Sequence, residues 1–204
     1  MTNDMRLVTI VLDRSGSMGS VKADAEGGLR AFLETQQEAP GRTLVTLRQF
    51  DHEHKTVFER VPLADVPKFE LRPRGMTALL DAIGSTIAAV NDYVDGLDEA
   101  DRPCEVVHVI VTDGHENSSR EWTLDRVKET ITAERDKGRA VLFLAADQDA
   151  ISVGTSMGVA AGSSLSYGGD NTMPAMAAAG QMVTRGSRSG SYEFTDGERD
   201  EATS

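Results

Sequence analysis

The run Leu7-Val8-Thr9-Ile10-Val11-Leu12 carries no charge and does not alternate polar with apolar residues. A strand of this kind must hide both of its faces, since successive side chains point to opposite sides of the sheet. The fold must therefore supply cover above and below it. Leu44–Phe50, Val106–Val111 and Ala140–Ala145 read as further strands. Between the strands the apolar spacing turns helical: Val21, Ala25, Leu29, Phe32 and Leu33, then Leu79, Ile83, Ile87, Val90 and Val94, then Leu124, Val127 and Ile131. Gly138 is placed to stop the last of these helices. Alternating strands and helices predict an α/β fold, a central, mostly parallel sheet with helices on both faces.

One strand departs from that order. Thr56-Val57-Phe58-Glu59 follows the short polar stretch Asp51-His52-Glu53-His54, so a hairpin fits and an antiparallel edge strand is expected. Pro62, Pro67 and Pro73 then mark a long irregular connection ending at Gly75. Past Asp147 the spacing predicts a short helix near 148–157, a strand near 163–167 and an Ala/Met-rich helix near 174–184. From about Gly186 the chain is rich in Ser, Gly and charge. It reads as one domain over 1–185 followed by a polar, disordered tail over 186–204.

A length of 204 residues suits one domain of ordinary size. The formal net charge of -12 argues against nucleic acid and anionic membranes as partners, because both attract basic surfaces. The first residues lack the basic-then-apolar order of a signal peptide, and no apolar run has the length of a membrane span. Cys104 is the single cysteine, which excludes an intrachain disulfide and fits a reducing compartment. The expectation is a cytoplasmic protein, or a virion-associated one if phage-encoded, with Cys104 partly buried and inert.

Open parallel sheets bind ligands beyond the carboxyl ends of their strands, near the point where strand order reverses. Three segments put oxygen-bearing side chains there. Asp13-Arg14-Ser15-Gly16-Ser17 follows the first strand, Thr112-Asp113-Gly114 ends another, and Gly75-Met76-Thr77-Ala78-Leu79 leads into a long helix. Carboxylates and hydroxyls suit hard divalent cations. Each segment alone also has a plain reading, since Ser-Gly-Ser is ordinary turn chemistry and Asp commonly caps helices.

Together, Asp13-x-Ser15-x-Ser17, Gly75-x-Thr77-x-Leu79 and Thr112-Asp113-Gly114 resemble the complete metal-ion-dependent adhesion site (MIDAS) of von Willebrand factor A domains. The resemblance covers roughly residues 5–185 and points to the small stand-alone bacterial and phage members of the family. It implies the Rossmann-like three-layer fold. It also implies that Ser15, Ser17 and Thr77 offer hydroxyls to Mg2+ or Mn2+, which Asp13 and Asp113 contact directly or through water. Such a shell leaves the ion under-neutralised, so an Asp or Glu carboxylate of a partner protein can complete its octahedron. The resemblance extends to possible partners, an AAA+ ATPase or a larger assembly. A second reading keeps the metal for folding, in a structural or virion-type interaction protein.

Other residues carry weaker patterns. His52-x-His54 shares one strand face but sits in the hairpin connection, which favours an exposed turn. His108 alternates within a buried strand and reads as a core residue. His115-Glu116 borders the crevice, either as a specificity element or as a solvated loop. Asp147-Gln148-Asp149 reads as a helix cap, and Trp122 as a staple for the helix after it. A Mg2+-dependent phosphoryl-transfer enzyme is the minority alternative. Such sites use denser carboxylate sets, and the chain has neither a phosphate-cradling glycine motif nor a Ser/His/Asp set, so a non-enzymatic role is expected.

Overall fold

In a computed structural model, which describes residues 4–203, β1 (Met5–Asp13) is buried at every position. Its cover comes from two helical layers. Val8, Ile10 and Leu12 point into one core with Ala25, Leu29 and Phe32 of α1 (Lys22–Gln36) and Ala175, Met176, Ala179 and Met182 of α5 (Thr172–Ser189). Val11 points the other way, into a core with Leu79, Ile83 and Ile87 of α2 (Leu79–Asp95) and Val127 and Ile131 of α3 (Leu124–Asp136).

The remaining strands are β2 (Arg42–Phe50), β3 (His54–Pro62), β4 (Glu105–Thr112), β5 (Ala140–Ala146) and β6 (Ser164–Tyr167). Their order across the sheet is β3-β2-β1-β4-β5-β6. Among the described residues only β2 and β3 pair antiparallel; the other neighbours are parallel. Chain order reverses between β1 and β4, in register from Arg6↔Glu105 to Leu12↔Val111, and this places Asp13 opposite Thr112, with Asp113 one residue beyond, at the carboxyl edge. The expected sheet, with its antiparallel edge strand, is the one observed.

Helices α1 and α5 approach closely. A Cβ on Gly180 would collide with Thr35 Oγ1 and lie 3.1 Å from Phe32 Cα. Polar contacts hold the pair in register. Asp24 Oδ2 accepts the Met173 amide at 2.8 Å, Gln36 Nε2 donates to the Gly180 carbonyl at 3.1 Å, and Thr184 Oγ1 donates to the Thr35 carbonyl at 3.0 Å.

Two expectations fail. The stretch over 186–204 was expected to be disordered, yet residues 186–189 complete α5 and Asp196–Thr203 form a further helix, α6, after the short α4 (Ala150–Ser156) and β6. Phe194 and Ala202 are buried in the α1/α5 core. The Glu198 carboxylate accepts from the Thr195 amide at 2.8 Å and from Arg185 at 2.8 and 3.0 Å, while the Glu198 amide donates back to Thr195 Oγ1 at 3.3 Å. This reciprocal Thr-x-x-Glu cap offsets the weak hydrophobicity that made the stretch read as a tail. Ser204 lies outside the described residues. Cys104, expected to be partly buried, is exposed, because it precedes the first covered position of β4.

Candidate functional site

At the end of β1 the chain turns through Arg14 into a short 3-10 turn over Gly16–Gly19, which throws the Asp13, Ser15 and Ser17 side chains toward the carboxyl edge. Asp13 and Ser15 are buried, and Ser17 is exposed. Asp13 Oδ1 accepts the Ser15 amide at 2.6 Å, so the carboxylate braces the turn that follows it. Its Oδ2 accepts the Thr112 hydroxyl of β4 at 2.6 Å. The Ser15 and Ser17 hydroxyls lie 3.0 Å apart, and Ser17 Oγ donates to Asp113 Oδ1 at 2.8 Å.

Thr77 comes from the loop before α2 and is buried. A Cβ on Gly114 would sit 2.9 Å from Thr77 Oγ1 and 3.7 Å from Asp13 Oδ2, so both oxygens crowd the Gly114 backbone and any larger residue there would press on them. The loop is stitched down on three sides. Gly16 N donates to Gly75 O at 3.2 Å, Arg74 N to Arg14 O at 2.8 Å, and Ala78 N to Asp51 O at 2.7 Å. All five residues picked out by the motifs therefore meet at one spot over the β1/β4 switch point.

Burial shapes the charge of this spot. It pushes the Asp13 carboxyl up to about 6, against the opposing pull of the Thr112 and Ser15 hydrogen bonds. Burial likewise raises Asp113, and the nearby Asp147 adds to the shift while Ser17 opposes it. Among the described residues no arginine or lysine pairs with either carboxylate; both are held by hydroxyls and amides alone. The arrangement offers two carboxylates and three hydroxyls, oxygen donors of the kind Mg2+ and Mn2+ take, in a place short of positive charge.

Two supporting residues have no individual assignment in the sequence reading. Thr112 orients Asp13, and its place in Thr112-Asp113-Gly114 was the available signal. Asn117 clamps Thr77 on both sides: its Oδ1 accepts the Thr77 amide at 2.9 Å and its amide donates to the Thr77 carbonyl at 3.0 Å. No local pattern marks it. Glu116, one candidate for specificity, instead caps α2 by accepting the Leu80 amide at 2.9 Å. Asp149 caps α4, whereas Asp147 adopts φ 50 and accepts the Gly169 amide at 3.1 Å. Trp122 packs against Gly84 of α2, with Arg126 over its ring at 3.8 Å. His108 is a core residue, with Nε2 3.3 Å from Glu134 Oε2.

A second group of potential ligands, Asp51, His52 and Glu53, has its ligand atoms within 4.8 Å of one another. Guanidinium groups already stand there. Asp51 Oδ2 lies 2.8 Å from Arg74 Nε and 3.0 Å from Arg14 Nε, and Glu53 Oε2 lies 2.6 Å from Arg74 Nη2. Two arginines thus supply the positive charge that a metal ion would bring.

Strand order, the single antiparallel edge pair and the helical layers are those of the Rossmann-like von Willebrand factor A fold. Solved structures with this likeness include proximal thread matrix protein 1 from the mussel byssus, at 14% identity and TM-score 0.63, over 90% of this chain and 47% of that one. The same mussel protein with a zinc-occupied MIDAS motif matches at 13% identity and TM-score 0.60, over 87% of this chain and 48% of that one. A von Willebrand factor type A protein from Catenulispora acidiphila matches at 12% identity and TM-score 0.57, over 90% of this chain and 43% of that one. The chain spans less than half the length of each, and at these identities the likeness is one of fold. No family model matches the sequence, and no curated protein matches it. Among the described residues no helix is long and apolar enough to cross a membrane.

Proposed function

We propose that the chain is a metal-dependent protein-binding module. Asp13, Ser15, Ser17, Thr77 and Asp113 would hold Mg2+ or Mn2+, and the ion would supply an open position for an Asp or Glu carboxylate of a partner protein. One observation carries this reading: three hydroxyls converge with two carboxylates, Asp13 buried and Asp113 half-buried, that no cationic side chain neutralises among the described residues. The mussel protein with the same fold, described with a zinc-occupied MIDAS motif, supports it. Thr112 and Asn117 act by positioning, one aiming Asp13 and the other fixing the Thr77 backbone.

On this reading the module works without catalysis, in the cytoplasm or on a virion, within an assembly such as one built around an AAA+ ATPase. Calorimetry with MgCl2 and MnCl2 tests the metal. Saturable binding by the wild type is expected, weakened more than about tenfold in Asp13→Ala and in Thr77→Ala. A wild type that takes up neither ion at millimolar concentration overturns the proposal. Phosphate-ester turnover that disappears in Asp13→Ala would replace it with the enzymatic reading.

A further inference from the structure

The residues that the motifs pick out stand on separate loops, and two of those loops meet over Asp51. Asp13, Ser15 and Ser17 follow β1, and Thr77 precedes α2. The turn from β2 to β3 lies beside them, because β2 runs along β1 in register as far as Asp13↔Phe50. Asp51, one residue on, is fully buried. Its Oδ2 is shared by one guanidinium from each loop. Arg14, set between Asp13 and Ser15, brings its Nε to 3.0 Å, and Arg74, three residues before Thr77, brings its Nε to 2.8 Å. The Arg74 contact is a hydrogen bond, whereas Arg14 Nε lacks hydrogen-bond geometry and is joined to Asp51 by charge.

The backbone repeats the connection. Arg14 N donates to Phe50 O at 2.8 Å, Arg74 N to Arg14 O at 2.8 Å and Ala78 N to Asp51 O at 2.7 Å. Asp51 itself is fixed: its Oδ1 accepts the Glu53 amide at 2.7 Å, and its own amide donates to the Glu53 carbonyl at 2.8 Å. Arg74 Nη2 reaches on to Glu53 Oε2 at 2.6 Å. Gly75 adopts φ 73, and a Cβ there would collide with the His52 ring, so the turn into Thr77 packs against the same cluster. Two carboxylates and two guanidiniums balance one another here, and their contacts run to both loops.

We propose that Asp51 is a positioning residue for the metal site, holding the Asp13–Ser17 loop and the Thr77 loop at one separation through Arg14 and Arg74 before the ion arrives. Without that brace the Thr77 loop would be ordered only during binding, and the cost would appear as lost affinity. The inference rests on the metal-binding reading of Asp13, Ser15, Ser17, Thr77 and Asp113.

Calorimetric titration of the full chain with MnCl2 tests it, with a circular dichroism melt of each variant in chelator to confirm the fold. Arg74→Met, altered at an exposed side chain, is expected to weaken Mn2+ binding about threefold to tenfold, less than the loss for a group bonded to a metal ligand itself. Charge alone predicts the opposite sign, since removing a guanidinium lessens repulsion of an incoming cation. A purely structural brace would lower the melt and leave the affinity of the folded chain unchanged. Arg72→Met removes the same charge two residues earlier, from an exposed side chain bonded to Glu70, and should bind Mn2+ at least as tightly as the wild type. Asp51→Asn removes the shared carboxylate charge and is expected to cost about tenfold or more. It strands a buried guanidinium, so Arg74→Met decides where that variant does not fold. Wild-type or tighter binding by Arg74→Met, or equal weakening by Arg74→Met and Arg72→Met, overturns the proposal. A wild type that binds no Mn2+ overturns the metal-binding reading, and this inference with it.

Discussion

Thr112 contributes a single hydroxyl to the site, yet Asp13 depends on it. The hydroxyl is 2.6 Å from Asp13 Oδ2, and both residues are fully buried. Thr112→Val keeps the shape of the side chain and removes the donor, leaving a buried carboxylate oxygen without a partner. Urea denaturation in the presence of chelator is expected to register a loss of about 1–3 kcal/mol. A change under about 0.5 kcal/mol, the range of an ordinary surface substitution, would mean that the bond does not brace Asp13. Single residues also mark where sequence reading stops. Asp13, Ser15, Ser17, Thr77 and Asp113 stand out because each falls in a short motif at a strand end or helix start. Asn117 does not, because its contacts with Thr77 cross 40 residues and use its amide and side chain in a loop without periodicity.

At the scale of elements, the α1/α5 pair sets the tightest constraint. Alanine at an interior helix position gains about 1 kcal/mol over glycine in propensity. At Gly180 the added carbon meets Thr35 Oγ1 and the Phe32 backbone, an overpacking that costs about 1–3 kcal/mol. Gly180→Ala is therefore expected to lower the Tm, and adding Thr35→Ala should recover part of the loss; a raised Tm in the single variant would contradict the close approach. The buried strands were legible as unbroken apolar runs, and the longer helices by a 3.6-residue period sustained over up to seventeen residues. Helix α6 was not, since a mean composition hides an eight-residue helix. Its cap, Thr195-Asp196-Gly197-Glu198, was nonetheless visible as a start signal.

For the molecule as a whole, two buried carboxyls set opposing pH dependences. Burial would raise Glu134, but hydrogen bonds from His108, Arg139 and Asn91 outweigh it and hold the carboxyl at about 2, below its ordinary 4.5. Its stabilisation is complete above 4.5 and is lost as pH falls toward about 2. Asp13 has the other sign. Held up at about 6, it favours the folded state below its ordinary 3.8 and loses that contribution as pH rises through about 6. Glu134→Gln is expected to reduce stability at neutral pH by roughly 2–4 kcal/mol, since it breaks a buried charged network. The same change should flatten the acid limb between pH 4.5 and about 2. Urea midpoints measured from neutral pH down through that range check both, and an unchanged acid limb would remove Glu134 from the account.

The cover of one sheet face has a consequence for synthesis. That face is roofed by α1, which precedes five of the six strands, and by α5 and α6, which follow all of them, with Asp24 tied to Met173 across 149 residues. A ribosome delivers α1 before all the strands after β1, and its neighbour α5 only after β6. Until α5 clears the exit tunnel, the side chains that it will cover on β4 and β5 stay open to water and to other nascent chains. A stop codon at the start of α5 would leave the six strands intact and half of their roof missing.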